Sequence, residues 1–250
     1  MSVLCAAVGL SVEYRRPLSW APPVLAVAEV SLTLRAGERV GLVGASGCGK
    51  TSLVRALCGL APRSAGRVDL LGVDPAIARR PPRGVQLLLQ DAGASLNPGL
   101  TVREWLVESA SVHRPGEAQA VDEVLARYGL AHRAGALPQA LSGGEQRRVT
   151  LAALTLASPR LVFADEPTAG LDAARKADAL TLLLDHAGPD RALVLVTHDL
   201  LLASHACTRL VFMHAGRLVG DAPIEELSSV QHPAARALLH SSHLLPRTQP

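Results

Sequence analysis

Hydrophobic and polar positions alternate along residues 38–43 toward an apolar end and then stop at Gly44. From Lys50 the spacing changes: Leu53, Leu57 and Leu60 recur at helical intervals, and Gly59 is available to end the helix. This part of the chain predicts strand, glycine loop, helix, with Leu60 closing the apolar stripe. A further strand is expected over residues 67–71. After a Pro/Arg-rich surface connection, the run at 85–89, apolar except for Gln86, is expected to form a strand buried on both faces. Residues 101–139 change character. Trp105, Leu106, Val121, Val124 and Leu125 repeat at helical spacing, and Arg114-Pro115-Gly116 marks a turn between helices. This stretch reads as a helical lobe inserted in an α/β core. Apolar strands return at 161–164 and 192–197, with helices after Leu171 and after Asp199. A short helix over 232–239 precedes a Pro-rich end that is expected to fray. Strands alternating with helices imply a mainly parallel sheet wrapped by helices.

Composition narrows the class. A chain of 250 residues can bury one full core with a smaller lobe attached. Apolar residues are 48% of it, but in short runs, none near the ~20 residues needed to cross a bilayer. A soluble chain is expected. The start, Met1-Ser2-Val3-Leu4, has no basic region or cleavage site, and Cys5, Cys48, Cys58 and Cys207 show no paired or metal-type spacing, which fits a reducing cytosol. Net charge is +3, and the densest cluster, Arg79-Arg80-Pro81-Pro82-Arg83, lacks interleaved aromatics. It reads as a solvated turn, with no nucleic acid expected as partner.

The strand ends carry the chemistry. Gly44-Ala45-Ser46-Gly47-Cys48-Gly49-Lys50-Thr51 matches the phosphate-loop pattern without a gap, and Ser52 continues into the helix. Glycines let backbone N–H groups converge on phosphate oxygens, the helix aims its positive end at them, Lys50 reaches the β- and γ-phosphates, and Thr51 offers a hydroxyl to Mg²⁺. Only two of the 25 basic residues are lysines, Lys50 and Lys176. Placing one here suits a site that needs a compact point charge. Cys48 lies within the loop, as a small filler or as a thiol whose alkylation would block the phosphate site. Asp165 and Glu166 end an apolar run at the carboxyl edge of a strand, where Asp165 would hold Mg²⁺ and Glu166 would polarise an attacking water. As an isolated acid pair they could also cap the next helix. His198 follows the apolar strand at 192–197 and arrives at the same edge. Gln90 closes the strand at 85–89 and can offer an amide oxygen to metal or water. Leu141-Ser142-Gly143-Gly144-Glu145 stands where a long helix begins; it is either a second phosphate cradle or a serine cap with Glu145 completing a capping box.

The order phosphate loop, Gln90, Leu-Ser-Gly-Gly-Glu, Asp165-Glu166, Asp172, His198 resembles the nucleotide-binding subunit of ABC transporters over nearly the whole chain. The resemblance implies a P-loop NTPase core with a mainly parallel sheet, an N-terminal antiparallel β portion and an inserted helical subdomain. Residues 1–90 and 141–230 would form the core, 91–140 the helical subdomain and 231–250 a short tail. It further implies that ATP and Mg²⁺ are the cofactors, with Thr51, Gln90 and Asp165 on the metal and Glu166, His198 and Gln90 catalytic. Ser142, Gly143, Gly144 and Glu145 would serve the nucleotide of a second such subunit. Ala169-Gly170-Leu171-Asp172 would cross that interface. Tyr14 falls where the family stacks an aromatic on adenine, an ordinary strand-end tyrosine being the alternative.

The run from Leu89 to Pro98, with Ser95-Leu96-Asn97-Pro98, and the tail His232-Pro233 resemble the peptide and nickel importer branch. The tail lacks the aromatic-Thr pair usual after His-Pro, and Glu145 stands where many relatives have Gln. Implied partners are a second ATPase subunit, either a related chain or a self copy, two transmembrane permease subunits and, indirectly, an external solute-binding protein. The implied location is peripheral, on the cytoplasmic face of the membrane. Two alternatives are a soluble ABC ATPase without membrane partner and a non-hydrolysing ATP-binding subunit.

Overall fold

The computed structural model describes residues 2–15, 22–89, 93–113, 120–170 and 173–245. In chain order these form β1 (Val3–Tyr14), β2 (Val24–Arg35), β3 (Arg39–Val43), α1 (Lys50–Leu57), β4 (Ala65–Leu70), α2 (Pro75–Ala78), β5 (Val85–Leu88), α3 (Val102–His113), α4 (Ala120–Arg127), α5 (Gly143–Ala157), β6 (Leu161–Asp165), α6 (Ala173–Leu184), β7 (Ala192–Thr197), α7 (Leu200–Ala206), β8 (Arg209–His214), β9 (Arg217–Pro223) and α8 (Pro233–Ser241). Met1–Pro82 with Ala187–Pro250 make one compact unit and Arg83–His186 a second.

In the first unit β2, β1 and β4 form an antiparallel sheet with β1 in the middle. Beside it, β7, β3 and β8 run parallel and β9 returns antiparallel on β8. Every residue of β7 is buried, as are Val40 to Val43 of β3. These continuous apolar runs are what a strand covered on both faces requires. The pairing Val43↔Thr197 puts the ends of β3 and β7 at one edge, so whatever follows either strand emerges there. On α1, Leu53, Val54 and Leu57 are buried, but Leu60 is 52% exposed and does not continue their stripe. The helix ends at Leu57, and Gly59 stops it where the sequence makes a glycine available. Gly59 takes φ 73, its N–H donates to Ala56 O, and Leu60 N donates to Arg55 O, so the chain reverses and turns Leu60 outward.

In the second unit β5 and β6 are parallel, in register from Val85↔Leu161 to Leu88↔Ala164, and β6 is buried throughout. In the same unit α3, α4 and α6 each pack against α5. Val102, Leu106 and Ala110 recur at four-residue intervals on α3 and are all at most 1% exposed. Burial of Leu106 contributes roughly 1.5–3 kcal/mol by taking its side chain out of water. A polar chain threads this core: Tyr128 hydroxyl meets Thr155 Oγ1 at 2.5 Å, Thr155 Oγ1 meets His186 Nε2 at 3.2 Å, and His186 Nδ1 donates to Leu182 O at 2.8 Å. Burial pushes the Tyr128 phenol above its usual range, so it stays neutral and keeps its proton for Thr155.

Candidate nucleotide-binding site

The loop between β3 and α1 is shaped by how closely other backbone approaches it. A Cβ on Gly44 would lie 2.2 Å from Met213 O of β8 and 2.8 Å from Cys48 Sγ. On Gly49, at φ 110, it would lie 2.2 Å from Ala26 O. Only glycine fits either place. The loop is tied down at its far end, where Gly216 N donates to Cys48 O and Ala28 N donates to Gly216 O. Ala45, Ser46 and Gly47 form its exposed crest, and the N–H groups of Ser46 and Gly47 have no acceptor among the described residues. Lys50 is 7% exposed and folds back across the loop, donating from Nζ to Gly44 O at 2.8 Å and Ala45 O at 3.0 Å. Cys48 is buried, with its sulfur 3.9 Å from Lys50 Nζ, so the thiol faces inward. Thr51 and Ser52, in the first turn of α1, are half-buried. The result is an exposed row of N–H donors over a helix N-terminus with one ammonium beneath, which is an anion cradle.

His198 leaves β7 at the same edge. It is exposed, and it is bracketed by Thr197 Oγ1, which accepts from Asp199 N at 3.0 Å, and by Asp199, whose side chain accepts from Leu202 N to cap α7. Tyr14 closes β1 opposite Val24 and is 36% exposed, so one part of its ring is open to solvent.

The second unit holds the remaining groups. Asp165 is the last residue of β6 and is 5% exposed; Glu166 follows at φ 47, in the left-handed region, immediately before Pro167. A non-glycine residue there carries strain of order 1–3 kcal/mol, and such strain gathers at functional positions. Ser142 caps α5: its hydroxyl accepts from Glu145 N at 3.3 Å and Glu145 Oε2 accepts from Ser142 N at 2.8 Å, so the capping box is complete. Arg133 Nε adds a 2.8 Å bond to Glu145 Oε1. The Ser142 N–H, the Arg133 guanidinium and the Ser142 hydroxyl together hold the Glu145 carboxyl down to about 2. Gly143 and Gly144 begin the helix, and a Cβ on Gly143 would meet nothing within 4 Å. Gln90 and Asp172 lie outside the described residues.

The structure thus brings residues 44–52 and His198 to one edge in one unit, and builds the acid pair and the Ser142 cap in the other. The sequence reading passes over Met213, Ala26 and Gly216, which shape the phosphate loop from 20 to 170 residues away along the chain, an order of separation at which spacing carries no signal. It also passes over Arg133, a lone basic residue in a short turn.

The family profile described as ABC transporter matches residues 27–169. The chain belongs to the ABC transporter family. It carries an ABC-type ATPase domain. The nickel import ATP-binding protein NikE of Pseudomonas putida is 36% identical over 222 residues, covering 84% of this chain and 81% of that protein. The oligopeptide transport ATP-binding protein OppF of Escherichia coli is 32% identical, covering 88% of this chain and 70% of that one. Among the curated relatives the chain spans 65% of the length of a Sinorhizobium fredii protein and 91% of a Rhodospirillum rubrum one. A dimeric ATP-binding cassette in a post-hydrolysis state with ADP and phosphate has the same fold, with a TM-score of 0.75 at 23% identity, covering 88% of this chain and 98% of that one.

Proposed function

We propose that this chain is the ATP-hydrolysing subunit of a membrane importer whose cargo is a peptide, nickel or a metal chelate. The observation that carries the reading is the loop at 44–51, with its exposed N–H donors and its buried, folded-back Lys50. The names of two relatives, nickel import and oligopeptide transport, support this cargo class. No helix among the described residues is long and apolar enough to cross a membrane; in this reading two transmembrane permease subunits carry the cargo, with an external solute-binding protein acting indirectly.

Residues 44–52 hold the triphosphate and Tyr14 stacks on adenine. Thr51, Asp165 and Gln90 would hold Mg²⁺; hydroxyl, carboxylate and amide oxygens are the hard donors this ion takes. When bound, Mg²⁺ neutralises charge on the phosphate oxygens. Glu166 polarises the attacking water, His198 orients the γ-phosphate, and Gln90 relays its presence. Ser142, Gly143, Gly144 and Glu145 serve the nucleotide of a second ATPase subunit, with Asp172 crossing between the chains. The partner is a related subunit or a second copy. Two loaded chains close because each phosphate cluster gains donors from the opposite chain, and hydrolysis removes the group that held them. Residues 1–90 and 141–230 act as the nucleotide core, and 91–140 as the helical subdomain. The region after Gln90 receives a cytoplasmic helix of the permease at the inner face of the membrane.

Replacing Glu166 with Gln tests the core of this. Phosphate release should fall by about 10²–10⁴ while ATP binding is retained. Release at the wild-type rate from that variant overturns the assignment.

A further inference from the structure

Two histidines from separate elements come together in the first unit. His214 is the last residue of β8 and His232 stands immediately before α8, with ring centroids 6.1 Å apart and ring planes at 45°. Both are exposed, and among the described residues neither is paired with a carboxylate. The charges nearest to them along the chain are Arg217, which lies across the hairpin from His214 and binds Glu29 at 3.1 Å, and Arg236, four residues beyond His232 in α8.

Nδ1 of His232 accepts the Ala234 N–H at 3.3 Å, a long bond that caps α8 and shows that this nitrogen carries a lone pair and no proton. The His214 ring has no hydrogen bond to any described residue. With metal–nitrogen bonds of about 2.0–2.1 Å and the ring centre about 1 Å behind the nitrogen, two imidazoles on one ion have centres roughly 5–6.5 Å apart, for angles from tetrahedral to linear. The observed 6.1 Å falls inside that range. A hard cation gains nothing here: the positive end of α8 and Arg236 repel it, and among the described residues no carboxylate joins the pair. Late transition metals differ, because they bond to neutral imidazole nitrogen.

We propose that His214 and His232 form a site for a divalent late transition metal of the Zn²⁺ class, with water completing its shell. An ion that takes Nδ1 of His232 displaces the Ala234 N–H, so binding exchanges the cap of α8 for a bond to β8. The exchange bears on the phosphate loop. Met213, next to His214, supplies the carbonyl that closes on Gly44, and Gly216 in the following turn binds Cys48 O. The bound ion ties α8 to the turn that holds this loop down. The two rings bind it whatever cargo the chain serves.

The test uses the full chain, free of any polyhistidine tag and of nucleotide, competing for Zn²⁺ with a fluorescent chelator in excess Mg²⁺. A single ion should bind saturably. His232→Asn keeps a good N-cap while removing the imidazole, and His214→Gln leaves the cap untouched. Each should weaken Zn²⁺ binding at least about tenfold, a loss that even an outer-shell partner of a metal ligand can bring. His205→Gln removes an exposed histidine elsewhere and should leave binding as it is. Metal-free melting curves that match the wild type tie the loss to the missing ligand. Failure of the wild-type chain to bind Zn²⁺ saturably, displacement of the ion by Mg²⁺, or unchanged affinity in either folded variant overturns the proposal.

Discussion

At the residue scale the phosphate loop separates two reasons for needing glycine. Gly47 has φ 77 with nothing within 4 Å of where a Cβ would stand, so its substitution meets only the backbone cost of the left-handed region, about 1–2 kcal/mol. Gly44 has no positive φ, but its Cβ would collide with Met213 O, a main-chain atom held in β8 and unable to swing aside. Gly44→Ala must therefore push the loop away from β8, displacing the carbonyl that Lys50 Nζ binds. Gly44→Ala should lower the melting temperature more than Gly47→Ala and weaken binding of a fluorescent ATP analogue at least about tenfold, overpacking of this kind costing about 1–3 kcal/mol. Equal losses in both assays would mean the clash is relieved elsewhere and that Met213 does not shape the loop. The same packing explains Cys48. Its sulfur fills the space beneath Gly44, a filler position that the sequence leaves level with a reactive one.

At the element scale the start of α5 is stabilised by a charge, which makes its contribution depend on pH. Glu145 ionises near 2 in the folded chain instead of its ordinary 4.5, chiefly because the Ser142 N–H and then Arg133 bind the anion. Between those values the unfolded chain takes up a proton that the folded chain refuses, so stability rises with pH across this window. The contribution is complete above about pH 4.5 and disappears as pH falls toward 2. Wild type should therefore melt above Glu145→Gln at neutral pH, by a margin that is constant down to about pH 5 and closes below it. A margin that stays constant to about pH 3 would mean that neither the Ser142 N–H nor Arg133 binds the Glu145 carboxylate in solution. The capping box itself is legible in Ser142 and Glu145, because its partners are three residues apart; Arg133 is not, because it arrives from a separate turn. Strands behave the same way. β6 and β7 are uninterrupted apolar runs and stand where the sequence puts them. β1 and β2 could be expected only as an unbounded N-terminal β portion, since left-handed residues at Gly9 and Glu29 and four register shifts break their alternation. The β8–β9 hairpin turns on Ala215-Gly216, both at positive φ, where alanine hides the usual Asn-Gly signal.

At the scale of the whole molecule, one chain carries an anion cradle on its first unit and a separate helix start, with two consecutive glycines, on its second. Were the helix start needed only to begin α5, Gly143 would be a poor choice, since glycine weakens a helix and the position has room for any side chain. The freedom around Gly143 is useful if something from outside the chain comes close to its backbone. That argument gives a substitution which leaves the monomer intact and acts only on assembly. Gly143 has no positive φ, and a Cβ added to it would meet no side chain or other segment within 4 Å, so Gly143→Arg should fold normally and bind ATP as wild type does. In a Glu166→Gln background, where ATP persists, sedimentation with ATP should show the chain and its partner subunit joined, whether that partner is a second copy or a related chain. Adding Gly143→Arg should leave them separate, because the long side chain occupies the place of the partner's phosphates. Association of the double variant at the level of the single one would show that Ser142 and its glycines do not face a second nucleotide. The two cradles in this chain would then be unrelated, and closure of the pair would have to arise from another surface.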